Sequence, residues 1–367
     1  MSTLLKDLLS PSFYKLLSED LNEIVPSFNK QRFLKLIFDK NWNVLELKDR
    51  IRHTSSVLHQ FMPDDFSKAS KLLCDLIVFY ENKGLNSLGL AYWFIPDYIE
   101  QYGLDHFKDS VQAMEKVTQC ITCEFAVRPF LLKYEDKMMK QMLHWSKHKK
   151  EHVRRLASEG MRPRLPWAMA IPSLKKDPAL ILPILENLKS DPYEFVRRSV
   201  ANNLNDISKD HPDMVLSILN KWKGKSVETD KLIKHGARTL LKAGNRKTLN
   251  LFGYKSSETI ELSEFKILSN KIKIGQELHF KFSLKNNHKK KQVIRIEYAL
   301  YFLKANGQHG KKVFKISERE YGTFERAAIN RKHNFRIITT RTYYKGAHHL
   351  SLILNGNEQE TFQFSLG

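Results

Sequence analysis

The triplet Val153-Arg-Arg155 returns as Val196-Arg-Arg198, 43 residues later, and both copies sit in stretches of helical apolar spacing. The longer segments are Glu151-His-Val-Arg-Arg-Leu-Ala-Ser-Glu-Gly160 and Glu194-Phe-Val-Arg-Arg-Ser-Val-Ala-Asn-Asn203. Leu232-Ile-Lys-His-Gly-Ala-Arg-Thr-Leu-Leu241 is a weaker third copy. A period of roughly 40 residues marks stacked helix pairs, because one pair cannot bury its apolar face alone and needs the next pair to cover it. The expected N-terminal architecture is therefore an α-helical HEAT-like repeat solenoid. Asp177-Pro178, Asp191-Pro192 and His211-Pro212 read as helix starts, since proline fits only the first turn.

The period changes near residue 254. Leu278, Phe280, Phe282 and Leu284 alternate with polar residues, as do Ile294, Ile296, Tyr298, Leu300 and Phe302. Asn306-Gly307 and Asn355-Gly356 are hairpin-turn signals between such runs. About seven short strands predict an all-β immunoglobulin-like sandwich. The expected division is residues 1–254 for the solenoid and 255–367 for the sandwich.

The formal net charge of +21 is uneven. Residues 1–100 hold 12 Lys+Arg against 13 Asp+Glu, residues 101–254 hold 28 against 17, and residues 255–367 hold 21 against 10. Such asymmetry points to a polyanion lying on the middle and C-terminal parts, with nucleic acid ahead of an anionic membrane. Arg128, Arg154, Arg155, Arg162, Arg164, Arg197 and Arg198 on the repeats and Lys289, Lys290 and Lys291 in the sandwich are candidate DNA contacts, chiefly to phosphate. Any one of these charges is equally readable as a solvated helix or strand edge. The basic stretches at 309–312 and 331–333 read as further loops of the same kind. Three cysteines favour a reducing compartment, and the N-terminal segment reads as a first helix and not as a signal peptide. A cytoplasmic, nucleoid-associated location is expected, with no membrane partner and no sign of oligomerisation. Cys120 and Cys123 read as half-buried helix thiols, and His144, His148 and His152 as surface residues; no metal or cofactor is expected.

Acids on the presumed ligand face need an explanation, because carboxylates repel phosphates. Arg155, Glu159 and Arg162 share a helix face, Arg198, Asn202 and Asp206 repeat that spacing, and Glu124 stands four residues before Arg128. Each pair alone would be an ordinary i,i+4 contact. Pro163 and Pro166 then stiffen the loop that carries Arg162, Arg164 and Trp167, although Trp167 reads equally as a core aromatic.

Ser158-Glu-Gly-Met-Arg-Pro-Arg-Leu-Pro-Trp-Ala168, with Cys123-Glu-Phe-Ala-Val-Arg-Pro-Phe130 upstream and Val196-Arg-Arg-Ser-Val-Ala-Asn-Asn-Leu-Asn-Asp206 downstream, resembles the AlkC branch of the AlkC/AlkD DNA alkylation-repair glycosylases. The resemblance covers the whole chain, because one AlkC subgroup carries an immunoglobulin-like domain. It implies a monofunctional DNA glycosylase that acts on double-stranded DNA without base flipping. The expected substrates are cationic alkylated bases, chiefly 3-methyladenine and 3-methylcytosine, with 1-methyladenine at the edge of the range. It further implies that Glu124, Glu159 and Asp206 are the active-site acids and that Trp167 packs on the damaged nucleotide. Two other readings stay open: a noncatalytic HEAT-repeat scaffold, and a noncatalytic HEAT-repeat binder of damaged or branched DNA.

Overall fold

A computed structural model describes residues 4–338 and 341–367, with sixteen α-helices followed by eight strands among them. The chain clusters into two compact units, one comprising residues 1–211 and 222–236, the other 212–221 and 237–367.

In the first unit the repeats stack at the interval the sequence sets. The helix Glu151–Glu159 buries Val153, Leu156 and Ala157, and the helix Glu194–Ile207 buries Val196, Val200, Leu204 and Ile207. These two helices pack against each other, and the second also packs on the helix Val227–Gly236. Asn203 Nδ2 donates to the Ser158 carbonyl at 2.9 Å, so one repeat caps the polar end of its neighbour. The weak third copy is broken: its helix ends at Gly236 and a new one begins at Arg238. Gly236 is needed there for close approach, because a Cβ would lie 3.1 Å from Leu204 Cβ. No helix among the described residues is long and apolar enough to cross a membrane.

The second unit is a sandwich of a three-stranded sheet, β1-β3-β6, and a five-stranded sheet, β2-β8-β7-β4-β5. The strands are β1 Ile260–Ile267, β2 Lys271–Ile272, β3 Glu277–Asn286, β4 Gln292–Leu303, β5 His309–Tyr321, β6 Arg326–Asn334, β7 Gly346–Leu354 and β8 Asn357–Leu366. Leu278, Phe280, Phe282 and Leu284 of β3 and the alternate residues of β4 from Ile294 to Phe302 fill the space between the sheets. Asn355 and Gly356, with φ of 47° and 81°, form the two-residue β7–β8 turn whose twist suits antiparallel strands.

Three sequence expectations differ from what this unit shows. Arg295, Glu297 and Ala299, the polar-face residues of β4, are buried as well. Arg295 Nη2 pairs with Glu297 Oε1 at 2.5 Å and Nη1 with Glu318 Oε2 at 3.2 Å, so the charges enter as a compensated network. Tyr254 lies beside Arg295 and Glu318, Leu249 packs against Gly356, and Asn355 Nδ2 donates to the Lys255 carbonyl at 3.0 Å. Residues 237–254, placed with the solenoid by their helical spacing, thus group with the sandwich. The basic stretches at 309–312 and 331–333 are not loops but parts of β5 and β6. Lys311 pairs with Glu358 and Lys332 with Glu277, while burial pulls the His333 imidazole down to about 4 and leaves it neutral near pH 7. Lys289, Lys290 and Lys291 do lie in the β3–β4 loop and are exposed, with Lys291 3.0 Å from Glu320.

Candidate active site

The helix Glu151–Glu159 stops at Gly160, whose φ of −61° any residue could adopt. Space decides the glycine: an added Cβ would meet Val127 Cγ2 at 2.6 Å and Met142 Cε at 3.3 Å. Met161, Pro163 and Leu165 then dip into the core, and the chain turns sharply. Ala168 N donates to the Leu165 carbonyl at 3.3 Å, which makes Pro166 and Trp167 the central residues of a tight turn. Proline suits the first of these positions. The second holds Trp167 at φ 66°, a left-handed conformation that turns of this kind reserve for glycine or asparagine. A side chain there costs about 1–2 kcal/mol. Yet Trp167 gains no core packing in return, being 56% exposed. The strain at this exposed aromatic is therefore not repaid by core packing.

Arg128 holds this loop. Its Nε donates to the Met169 carbonyl at 2.7 Å, and its Nη1 to the carbonyls of Gly160 at 2.9 Å and Arg162 at 3.0 Å. The residue is fully buried, and burial, with Arg162 nearby, pulls its guanidinium down to about 10. The expectation that Arg128 contacts DNA is therefore corrected: the residue is buried, and its Nε and Nη1 are committed to backbone carbonyls of the loop. Nor does it pair with Glu124, which lies in a turn before the helix Val127–Lys133 and not four residues back on it. From the other side, Lys48 Nζ donates to the Trp167 carbonyl.

The three acids fall into one row of alternating charge. Glu124 Oε2 accepts from Arg155 Nη1 at 2.6 Å and from Thr122 Oγ1 at 2.8 Å. Arg155 Nη2 reaches Glu159 Oε1 at 3.7 Å, and the same oxygen lies 2.7 Å from Arg162 Nη1. Arg162 Nε continues to Asp206 Oδ2 at 2.9 Å, and Lys209 stands 3.5 Å from the other Asp206 oxygen. Burial alone would lower the Arg162 guanidinium, but Glu159 and Asp206 outweigh it and hold the group above its ordinary value. Glu159 and Asp206 are only 5% and 2% exposed, so each charge is nearly desolvated and strongly felt by whatever reaches the row. Thr122 and Trp167 line one cleft, which puts the aromatic turn beside the Glu124 end.

The other candidate arginines divide. Arg154 makes a two-pronged pair with Asp191 at 2.6 and 3.1 Å, and Arg197 donates to the Asp191 and Pro192 carbonyls, so both brace the start of the helix Glu194–Ile207. Arg164 pairs with Asp210, and Arg198 with Glu194 on an exposed face. Arg198 is thus the most exposed of the candidate arginines. Sequence reasoning missed Thr122, Lys209 and Lys48. Nothing in the sequence marks Lys48, which lies 119 residues from its partner. Lys209 sits three residues past Asp206, the spacing that already flagged Glu159 with Arg162. The expected helix thiols Cys120 and Cys123 are instead buried in the turns before Glu124, and His144, His148 and His152 fall on a helix end, a link and the next helix.

Comparison with known proteins follows this geometry. Residues 104–242 match the family described as "DNA alkylation repair enzyme", and residues 261–367 match "Uncharacterised protein YhaZ, C-terminal Ig-like domain". The YhaZ protein of Bacillus subtilis is 44% identical over 99% of both chains. A solved structure of the Pseudomonas fluorescens alkylpurine DNA glycosylase AlkC, bound to DNA containing an abasic site analogue, superposes with a TM-score of 0.92 at 33% identity, over all of both chains. The chain belongs to the AlkC group of DNA alkylation repair enzymes, with an Ig-like C-terminal domain.

Proposed function

We propose that the protein is a monofunctional, monomeric DNA glycosylase that releases cationic alkylated bases, chiefly 3-methyladenine and 3-methylcytosine and also 1-methyladenine, from duplex DNA without base flipping. The observation that carries this reading is the row Glu124–Arg155–Glu159–Arg162–Asp206 set beside a strained, exposed Trp167. Cleavage of the N-glycosidic bond sends the bonding pair to the base and leaves positive charge on the deoxyribose, which water then captures at C1′ while losing a proton. A base alkylated to a cation departs neutral and needs no general acid. Carboxylates near C1′ stabilise the oxocarbenium-like transition state and orient the water. Their arginine partners keep the acids fixed, so the field is present before the reaction begins. Trp167 contributes its face to the cationic lesion or its sugar. Unalkylated bases lack the cationic leaving group and gain much less, which supplies selectivity without a tight base pocket.

The test is base release. Methylated duplex DNA incubated with the purified protein is expected to yield free 3-methyladenine and 3-methylcytosine by mass, with 7-methylguanine retained in the DNA. DNA binding without any release would overturn the enzyme in favour of a noncatalytic binder of damaged DNA.

Trp167→Gly separates strain from function. Glycine suits the turn's left-handed position and removes little packing, so thermal stability is expected to hold or rise, while the single-turnover excision rate falls at least tenfold. A variant of unchanged excision rate would return Trp167 to the status of a surface residue.

A further inference from the structure

A cleft of about 340 Å³ opens beside the acid row, between the helices Leu47–His59 and Phe94–Tyr102, with the Thr122–Ala126 turn and the Trp167 turn closing its sides. Its walls combine two features that point to one ligand chemistry. The first is aromatic surface: Trp93 and Phe125 pack edge to face with ring centroids 5.2 Å apart, and Trp167 joins them at the rim. The second is carboxylate in excess. Asp97 and Glu100 both lean on a single guanidinium nitrogen, Arg52 Nη2, at 3.0 and 2.7 Å. Asp97 is otherwise occupied by Ser55 Oγ at 2.6 Å and Gln101 Nε2 at 2.7 Å, whereas Glu100 gives Arg52 only Oε1 and keeps its second oxygen unused. Asp49 adds a third acid against two cations, Arg52 and Lys48, the latter donating to the Trp167 carbonyl and lying 5.7 Å from the Phe125 ring centre. Burial raises both Asp97 and Glu100 above their ordinary range, as expected for under-neutralised acids.

We propose that this cleft receives the excised base: a flat N-methylated heteroaromatic ring stacked on Trp93 with Phe125 roughly perpendicular beside it, its exocyclic amino group donating to Glu100. The proposal rests on the glycosylase reading above. The volume is that of a small-ligand pocket, and aromatic walls with a few fixed polar groups are what such pockets use. The three acids of the wall outnumber its two cations, and Arg52 is already taken by Asp97 and Glu100, so a free base suits the cleft better than a nucleotide with its phosphate. An amino-bearing base such as methylated adenine or cytosine matches a carboxylate acceptor. Uracil has no exocyclic amino group, and its N3–H lies between two carbonyl oxygens that repel a carboxylate, so it matches Glu100 less well. Thr122, shared between the cleft wall and the Glu124 hydrogen bonds, is the point where the acid row meets the cleft. Product would then be held beside the site, and free base would slow turnover.

The experiment titrates the full chain, without DNA, with free 3-methyladenine, 3-methylcytosine and uracil by calorimetry, alongside base release from methylated duplex. The two methylated bases are expected to bind, with uracil at least tenfold weaker. Glu100→Gln and Trp93→Leu, with folding verified by circular dichroism, are expected to weaken binding at least tenfold and to relieve inhibition by added 3-methyladenine, leaving single-turnover release unchanged. Equal affinity for uracil and the methylated bases, unchanged affinity in both variants, or active enzyme that binds no free base would each overturn the cleft's role. Free-base binding that depends on Glu100 and Trp93, in a protein that releases nothing from DNA, would sustain the cleft as a base site and sink the glycosylase reading instead.

Discussion

Glu159→Gln and Asp206→Asn are each expected to lower single-turnover base release by about 10²–10³ with DNA affinity changed less than threefold. The amides keep the shape of the carboxylates and can still accept from Arg162, so the bridge between the two repeats stays in place. What disappears is one negative charge in a nearly dry location, where no water screens it from the developing cation. With one acid neutralised, the row also leaves Arg162 under-compensated, and its positive charge then opposes the same transition state. Quenched-flow measurement of base release, paired with binding to an uncleavable duplex, separates the two effects. Wild-type rates in both variants would remove Glu159 and Asp206 from the chemistry and make them interhelix fasteners.

Arg128→Leu is expected to cost at least about 3 kcal/mol in the unfolding free energy of the first unit. The leucine fills part of the space, but the carbonyls of Gly160, Arg162 and Met169 lose their donor at a fully buried position. An unpaired buried acceptor costs about 1–3 kcal/mol, and water has no ready route to replace the guanidinium. Arg128→Lys is expected to fall between leucine and wild type, since one ammonium cannot span three carbonyls that a planar fork reaches together. Urea denaturation followed by circular dichroism reads the difference. A loss below about 1 kcal/mol for Arg128→Leu would mean that the loop is held by Met161, Pro163 and Leu165 and not by the arginine.

The contrast between Arg128 and Glu159 shows where sequence reading reaches. Both are charged residues near a helix in a basic region, and the acids were legible because three of them recur beside arginines at repeat spacing, where carboxylates are out of place near phosphate. Arg128 carried no such signal: an arginine on a DNA-facing element reads as a phosphate contact unless its burial is known. Trp167 lay between these cases. The two prolines around it announced a stiff turn, but only the backbone angle distinguished a strained, exposed tryptophan from a core one.

The change from helical to alternating spacing, the repeat interval and the Asn355-Gly356 turn were all fixed by local pattern, because helix and strand periods and turn conformations depend on neighbours a few residues apart. The tertiary structure alone decided that residues 237–254 side with the sandwich, that β4 is buried on both faces, and that Lys48 and Arg128 seize the Trp167 loop from 119 and 32 to 41 residues away. Those outcomes depend on which surfaces meet when the layers stack, and a buried charge is settled by the partners it finds there, however far along the chain they lie.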